Sequence, residues 1–367
     1  MTGIATVAPV KITKVAQPIS NSAPRSGHHE GGIWPEAQPH LFSVVILNFN
    51  YGHYLQQCIE SALAQRYQPM EVLVVDDGST DTSRSIIDSF AHQVRASFKQ
   101  NGGMVSAMNH GFRLSRGSIV MFVDADDYLL PGAVAAHARA LANSAVVRSQ
   151  TYLTVVHGTS VSPTERIPGK PAVDGDLREL TLERGPGAYV SPPNSGNAWS
   201  RRFLQQVFPL PEALKAIGAE TFLMDSAPLF GKIVTLEPEP RAAYRLHASN
   251  MSGQVAAMKL GSLQKVLAQH ELRARHLEKV ATALGLNPQP AKWKSGNWRL
   301  LTLDYLCCRL AGFGMAPGWI EHMASAFRVR GNRVKGFALA CIIVSIRAAP
   351  TPLSLRLAAQ FIKLRYM

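Results

Sequence analysis

"MEVLVVDDGSTDTSRSIIDSFAHQV", residues 70–94, changes its rule partway along. Its opening is dense in Val and Leu with no polar alternation, the pattern of a strand covered on both faces. Asp76, Asp77, Gly78 and Ser79 then supply turn chemistry: short side chains that bond nearby backbone, and a glycine. From Thr82 to Val94 the pattern becomes helical, opening on Ser/Thr/Asp residues suited to cap it. A buried strand, a polar turn and a helix in succession form the repeating unit of α/β sheets.

The unit recurs on either side. "FSVVILNFN" (42–50) is an apolar, β-branched run ending at Asn48 and Asn50, followed by "YLQQCIESALAQRY" with Leu55, Ile59, Ala62 and Leu63 at helical spacing. "RASFKQNGG" supplies a short third strand and a glycine turn. "MVSAMNHGFRLSRG" reads as a helix and "SIVMFVDADD" (118–127) as a fourth strand. The expected fold is α/β, a mixed, mostly parallel sheet sandwiched by helices. Residues 140–190 are less regular. The Pro/Gly-rich run from Thr164 to Asn197 is expected to loop, with one short helix around Leu177 to Leu182. "RRFLQQVFP" and "ETFLMDSAPLFGKI" read as helices and "VTLEPEPRAAYRLH" as extended. From about Met258 the pattern is helical.

Composition sets outer bounds. Of 367 residues 46% are hydrophobic, enough for a substantial core. The net charge of +13 is unevenly placed: from Gln254 onward there are 17 Lys/Arg against 4 Asp/Glu, which accounts for the whole excess. A cationic C-terminal module favours anionic partners. Residues 1–40, rich in Pro, Ser, Gly and His, lack the apolar core of a secretory signal and are expected to be a disordered leader. "GFALACIIVSI" (336–346) falls short of the roughly 20 residues needed to span a bilayer. Cys58, Cys307, Cys308 and Cys341 have no zinc-like spacing, and the adjacent pair suits no usual disulfide framework, so a reducing, cytoplasmic compartment is expected. The expected organisation is a leader over 1–40, a catalytic domain over 41–253 and a helical basic region over 254–367.

Sheets of this kind hold ligands at the carboxyl ends of their strands, near the point where strand order reverses. Asn48 and Asn50, Asp76 and Asp77, and Asp124 to Asp127 all fall there. Neither a Walker loop nor a G-x-G-x-x-G turn is present, which weighs against P-loop and dinucleotide chemistry. On a flat strand Asp124 and Asp126 point to one face, and two such carboxylates destabilise each other unless a cation or proton lies between them. Mg²⁺ or Mn²⁺ suits such oxygen ligands and would bridge a diphosphate. The competing explanation is helix capping; it accounts for Asp127, at the start of a helix near Pro131, but not for Asp124.

"DDGSTD", then N-x-G-x-x-x-A-x-N within "NGGMVSAMN", then "DADD" at a strand end resembles the family 2 glycosyltransferases. These have the glycosyltransferase-A fold. The resemblance covers roughly 42–253, includes "NSGNAWSRRFL" and "YRLHASNMSG", and does not extend to 258–367. It implies an inverting, metal-dependent transfer from a nucleotide-diphosphate sugar, with a UDP-sugar favoured, to a glycan or lipid-linked acceptor hydroxyl. By resemblance, Asn48, Asn50, Asp76, Asp77, Asn101, Asn109, Asp124 and Arg245 are candidates for nucleotide-sugar binding. Asp124, Asp126 and His247 are candidate metal ligands. Asn109 equally suits a backbone-satisfying role, Asp76 and Asp77 an Asx turn, and His247 a structural one.

The family's base usually belongs to a Glu-Asp pair opening a helix; here the stretch reads Ala219-Glu220, with Asp225 further on. Glu220 is the preferred base and Asp225 the alternative. Trp199 suits either an acceptor platform or the core. The Gln-x-x-Arg-Trp motif of the family's membrane-embedded polymerases is missing, which favours a soluble or peripheral enzyme. The basic tail, with Leu353, Leu357, Phe361 and Leu364 at helical spacing, adds an anionic membrane surface as an expected partner, at the inner face of the cell membrane. A packed helical extension with a solvated basic face is the alternative, and no nucleic acid is expected. The competing functional class is a catalytically weak sugar-nucleotide or glycan-binding relative.

Overall fold

A computed structural model describes residues 38–168, 172–211, 218–236, 239–247 and 260–295. The expected leader up to residue 37 and the amphipathic tail beyond 295 lie outside these. The chain divides into two compact units, residues 1–178 with 189–246, and residues 179–188 with 247–367.

The first unit is built on strand–helix alternation: β1 Gln38–Asn48, α1 Gly52–Leu63, β2 Met70–Asp76, α2 Ser83–Ser89, β3 Arg95–Phe98, α3 Gly103–Leu114 and β4 Gly117–Asp124. Then come β5 Tyr128–Leu129, α4 Ala133–Leu141, β6 Val146–Thr151, β7 Leu153–His157 and β8 Ser160–Ile167. After a single 3₁₀ turn at Asn194–Gly196 follow β9 Asn197–Ser200, α6 Arg201–Val207, α7 Ala219–Phe230, β10 Lys232–Leu236 and β11 Ala242–Leu246; α5, Arg178–Arg184, falls between β8 and that turn in sequence and from Glu179 on belongs to the second unit. One sheet runs β10-β6-β9-β4-β1-β2-β3, parallel except for β9, and a second runs β5-β11-β7-β8.

Strand order reverses between β1 and β4, the position at which such sheets open a crevice. Register aligns the strand ends there: Asn48 pairs with Asp76, Asp76 with Phe98, and Leu47 with Asp124. The apolar runs that announced these strands form the core. Phe42, Val44, Ile46, Val74 and Met121 are fully buried, and α1 covers them with Leu55, Cys58, Ile59 and Ala62. Truncating Ile46 there removes roughly 2–5 kcal/mol.

The less regular stretch, 140–190, holds strands β6 to β8, while the short helix expected within 164–197 is α5. All of β6 is buried, yet it reads VVRSQT. Its Arg, Ser, Gln and Thr all bond to internal partners, so it carries no apolar signature. β8 is the edge of its sheet, where Pro163, lacking an N–H, is tolerated. β9, NAWS, is four residues long and too short for a period. Helix α2 stops at Ser89 rather than Val94. Asp127 does not open a helix: α4 begins six residues later behind Gly132, whose φ of 78° takes the positive-φ conformation that glycine tolerates.

Within the second unit, α8 (Leu260–Ala283) and α9 (Pro290–Ser295) are helical where the pattern after Met258 was read as helical, over the described residues 260–295. Trp293 is buried and its Nε1 donates to Leu182 O at 2.9 Å. A side chain at Gly185 would stand 2.5 Å from the Trp293 ring, at a φ of 72°. Among the described residues, no helix is long and apolar enough to cross a membrane.

Candidate active site

The first two strand-end loops are lashed together by the residues the sequence singles out. Asn48 Nδ2 donates to Asp76 Oδ2 at 2.7 Å and to Ser79 Oγ at 3.1 Å. Asn50, held at φ 58°, accepts the Thr80 N–H through Oδ1 at 2.8 Å and donates its own N–H to Ser79 Oγ. Asp76 Oδ1 takes the N–H groups of Gly78 and Ser79, an Asx turn. Gly52 N–H donates to Asp81 Oδ2 at 2.9 Å. Both Asn48 and Asp76 are buried.

Asp77 turns the other way. Its carboxylate accepts the N–H groups of Gly102 (3.0 Å) and Gly103 (2.7 Å) at the start of α3 and pairs with Lys99 Nζ. It thereby caps a helix from a distant strand, on the helix's positive end. Gly78, at φ 83°, lets the turn approach within 2.8 Å of Asn101 N, measured from where a side chain would begin. Asn101 itself is exposed. The turn opens on a cavity of about 260 Å³ lined by Asp76, Gly78, Ser79, Arg84, Phe98 and Lys99. The Arg84 guanidinium lies 4.2 Å over the Phe98 ring, and Phe98 is exposed. A flat apolar face, a cation and a carboxylate together suit a planar heterocycle.

The acidic group lies at the end of β4, at the strand-order reversal. The strand stops at Asp124, so Asp126 reaches its neighbour through a turn rather than along one face of the pleat; the turn closes on a bond from Asp127 N–H to Asp124 O at 3.0 Å. Asp124 Oδ1 accepts from Asn194 Nδ2 at 2.8 Å, and Asp124 N–H donates to Ser195 Oγ at 3.0 Å. Burial and then the charge of Asp126 push the Asp124 carboxyl up to about 8; Glu220 adds to this, and Asn194 opposes it. Burial, then Asp126 and Asp124, push Asp127 well up, against Ser195 and the Arg245 N–H. The phenol of Tyr51 is pushed up to about 12 by burial, then by Asp126 and Asp124. These shifts share one physical cause: negative charge concentrated where little water reaches it.

Arg245 does not spend its guanidinium on an open position. It is buried over the Tyr54 ring at 4.5 Å, with Nε donating to Asp126 O at 2.9 Å and Nη2 to Gln57 Oε1 at 2.6 Å. It fixes the acidic turn from behind. Asn109 clamps the backbone of Leu210 in both directions, at 2.9 and 2.7 Å, the backbone-satisfying alternative. Trp199 is fully buried core. His247 follows β11 and belongs to the second unit.

Glu220 sits in the first turn of α7, its carboxylate folded toward Gly218 so that a side chain there would meet Glu220 Oε1 at 2.8 Å. Asp225, one and a half turns on, is buried and acts electrostatically on Arg148 and Tyr189 instead. The two candidate bases thus face different surroundings, and Glu220 bears on Asp124. Sequence reasoning missed Asn194, Ser195, Arg84, Phe98 and Lys99. The run Asn194-Ser195-Gly196-Asn197 was the nearest signal for the first two, four small or polar residues that are all buried.

The residues at the acidic turn fit a divalent cation. Their donors are carboxylate oxygens crowded into a buried turn, and Asn194 Oδ1 beside them is buried without a hydrogen-bond partner. Among the described residues no group of three or more His, Cys, Asp or Glu forms a complete cage. Mg²⁺ in particular is commonly held by one or two carboxylates, with substrate phosphate and water completing its shell.

Comparison with known proteins agrees with this architecture. Residues 43–189 match the profile described as Glycosyl transferase family 2. An uncharacterized glycosyltransferase of Nostoc sp. is 35% identical over 212 residues, 57% of this chain and 65% of that protein. Glycosyltransferase GlyG of Streptococcus pneumoniae is 44% identical over 91 residues, 24% of this chain and 30% of that one. The chain therefore spans less than two thirds of the length of either relative. The structure of S. aureus TarS 1–349 in complex with UDP-GlcNAc superimposes with a TM-score of 0.50 at 17% identity, covering 88% of this chain and 91% of that one, a likeness of fold. Over residues 43–189 this chain thus matches the family 2 glycosyltransferases, on a glycosyltransferase-A-like fold.

Proposed function

We propose that the protein transfers a sugar from a nucleotide-diphosphate sugar to an acceptor hydroxyl, with inversion, in a reaction that requires Mg²⁺ or Mn²⁺. One observation carries this reading: Asp124 and Asp126 concentrate charge at the strand-order reversal while Glu220 bears on the same carboxyl. The nucleoside fits the cavity beside Asp76, Ser79 and Phe98, with UDP favoured. Asp124 and Asp126 would hold the cation, which when bound neutralises the departing diphosphate. Asn194 keeps Asp124 oriented and Arg245 keeps the turn in place. Glu220 takes the acceptor proton as the hydroxyl oxygen attacks the anomeric carbon. It sits in the first turn of α7. The similarity to proteins named as glycosyltransferases supports the reaction class. The basic region after residue 253 supports an anionic membrane surface, and with it a lipid-linked or glycan acceptor.

Isothermal titration with UDP-, GDP- and TDP-sugars, with and without Mn²⁺, tests the donor site. Metal-dependent binding of at least one is expected, and binding of none overturns the reading. Glu220→Gln is expected to retain donor affinity and lose transfer by at least about a hundredfold; unchanged turnover rejects the base. Metal-dependent binding by the wild type without any turnover would mark a binding relative instead.

A further inference from the structure

Arg148 is a fully buried cation in the middle of β6, away from the strand ends where the reaction is placed. Its Nε and Nη2 both donate to Asn197 Oδ1, at 2.9 and 2.5 Å. Nη1 donates to Tyr189 Oη at 3.0 Å and to Ser191 Oγ at 3.2 Å. The ring of Trp199, its cross-strand neighbour, lies 5.1 Å from the guanidinium carbon. Burying an arginine costs several kcal/mol unless its donors are met, and here they are met by neutral oxygens. A hydrophobic residue would fill the same space at less cost, so the connections it makes are the feature to explain.

They run in two directions. Asn197 uses its Nδ2 to hold Pro193 O at 2.7 Å and Asn194 O at 3.2 Å, shaping the turn from which Asn194 reaches Asp124 and Ser195 receives the Asp124 N–H. Tyr189 donates its hydroxyl to Met224 O, in α7, four residues beyond Glu220. Asp225 of the same helix acts on both Arg148 and Tyr189.

We propose that Arg148 is a positioning residue that ties the loop aiming Asp124 to the helix carrying Glu220, and so keeps donor and base at one spacing. The inference rests on the proposed roles of those two carboxylates, whereas the physical tie does not. Asp225 accordingly serves the tie rather than the proton transfer. The arrangement matters because a misplacement of about 1 Å between reacting groups can cost on the order of a hundredfold in rate.

Tyr189→Phe removes a single oxygen and with it the link to α7; Asn197→Ala removes the link to the loop. Hydrogen exchange of the ligand-free, full-length protein is the first measurement. Tyr189→Phe is expected to raise exchange across residues 219–225 and leave 192–197 as in the wild type; Asn197→Ala is expected to raise it across 192–197. The second measurement is steady-state turnover of a UDP-sugar with Mn²⁺. Tyr189→Phe is expected to lower kcat about tenfold with the donor KM within about twofold, while Asn197→Ala weakens binding of UDP with Mn²⁺ about tenfold. A purely packing role predicts a lower Tm with kcat and KM unmoved, and that result, or unchanged exchange in 219–225 of Tyr189→Phe, overturns the proposal. If the wild type neither binds nor turns over any nucleotide sugar, the donor-site reading falls and the exchange pattern alone decides the tie. If Asn197→Ala does not fold, Tyr189→Phe decides it.

Discussion

At the scale of single residues, the polar side chains at the strand ends mostly bind one another. Asp77 is the clearest case, with one carboxylate serving two N–H groups and Lys99. Asp77→Ala is expected to lower the urea-unfolding free energy by about 1–3 kcal/mol, since it removes a helix cap and strands a mostly buried ammonium. His137 gives a second test, unrelated to the acidic turn. It is fully buried, its Nδ1 lies 3.0 Å from Ser149 Oγ, and burial, followed by Arg241, pushes its imidazole down to about 3. The unfolded chain, with an ordinary value near 6.5, takes a proton that the folded one refuses. The stability this contributes is therefore complete above about pH 6.5 and is lost as pH falls toward 3. The stability difference between wild type and His137→Leu is expected to change by roughly 1.4 kcal/mol per pH unit between about pH 5.5 and 4, to the wild type's cost, in urea titrations. A pH-independent difference would mean that His137 is already charged in the fold.

At the scale of elements, legibility followed the chemistry of the buried face. β1, β2 and β4 bury runs of Val, Ile, Leu and Phe, and their alternation with α1 to α3 was readable from the sequence. β6 was not, because its interior is polar and the partners of its Arg148, Asn197 and Tyr189, lie 49 and 41 residues away. No local pattern encodes a bond of that span. The same holds for the site: Asp124 and Asp126 were legible as a motif, but Asn194, which orients Asp124 from 70 residues away, was not. Asp126 was expected to converge with Asp124 along a strand, and instead does so through a turn, because the strand ends one residue after Val123. In the second unit, Gly185 admits Trp293 only because it has no side chain. Gly185→Val is expected to cost at least about 2–3 kcal/mol through overpacking and the positive φ, and to raise Trp293 accessibility to fluorescence quenchers. Unchanged quenching would separate that contact from the docking of α9.

For the whole molecule, charge is the feature that composition alone made visible. The excess lies wholly after residue 253, beyond the family 2 match. If that region meets a membrane, full-length protein is expected to co-sediment with vesicles containing anionic lipid at low salt and to dissociate as ionic strength rises. Equal binding to neutral vesicles, or none to anionic ones, would reject the electrostatic attachment. A different consequence comes from β8, the open border of the four-stranded sheet. A peptide border with free N–H and C=O groups is a template on which another chain can crystallise. Pro163 breaks that template at mid-strand, and the Glu165–His157 pair and Arg166 surround the break with polar bulk. Copies of this chain therefore meet a broken, charged border there rather than a strand they could extend.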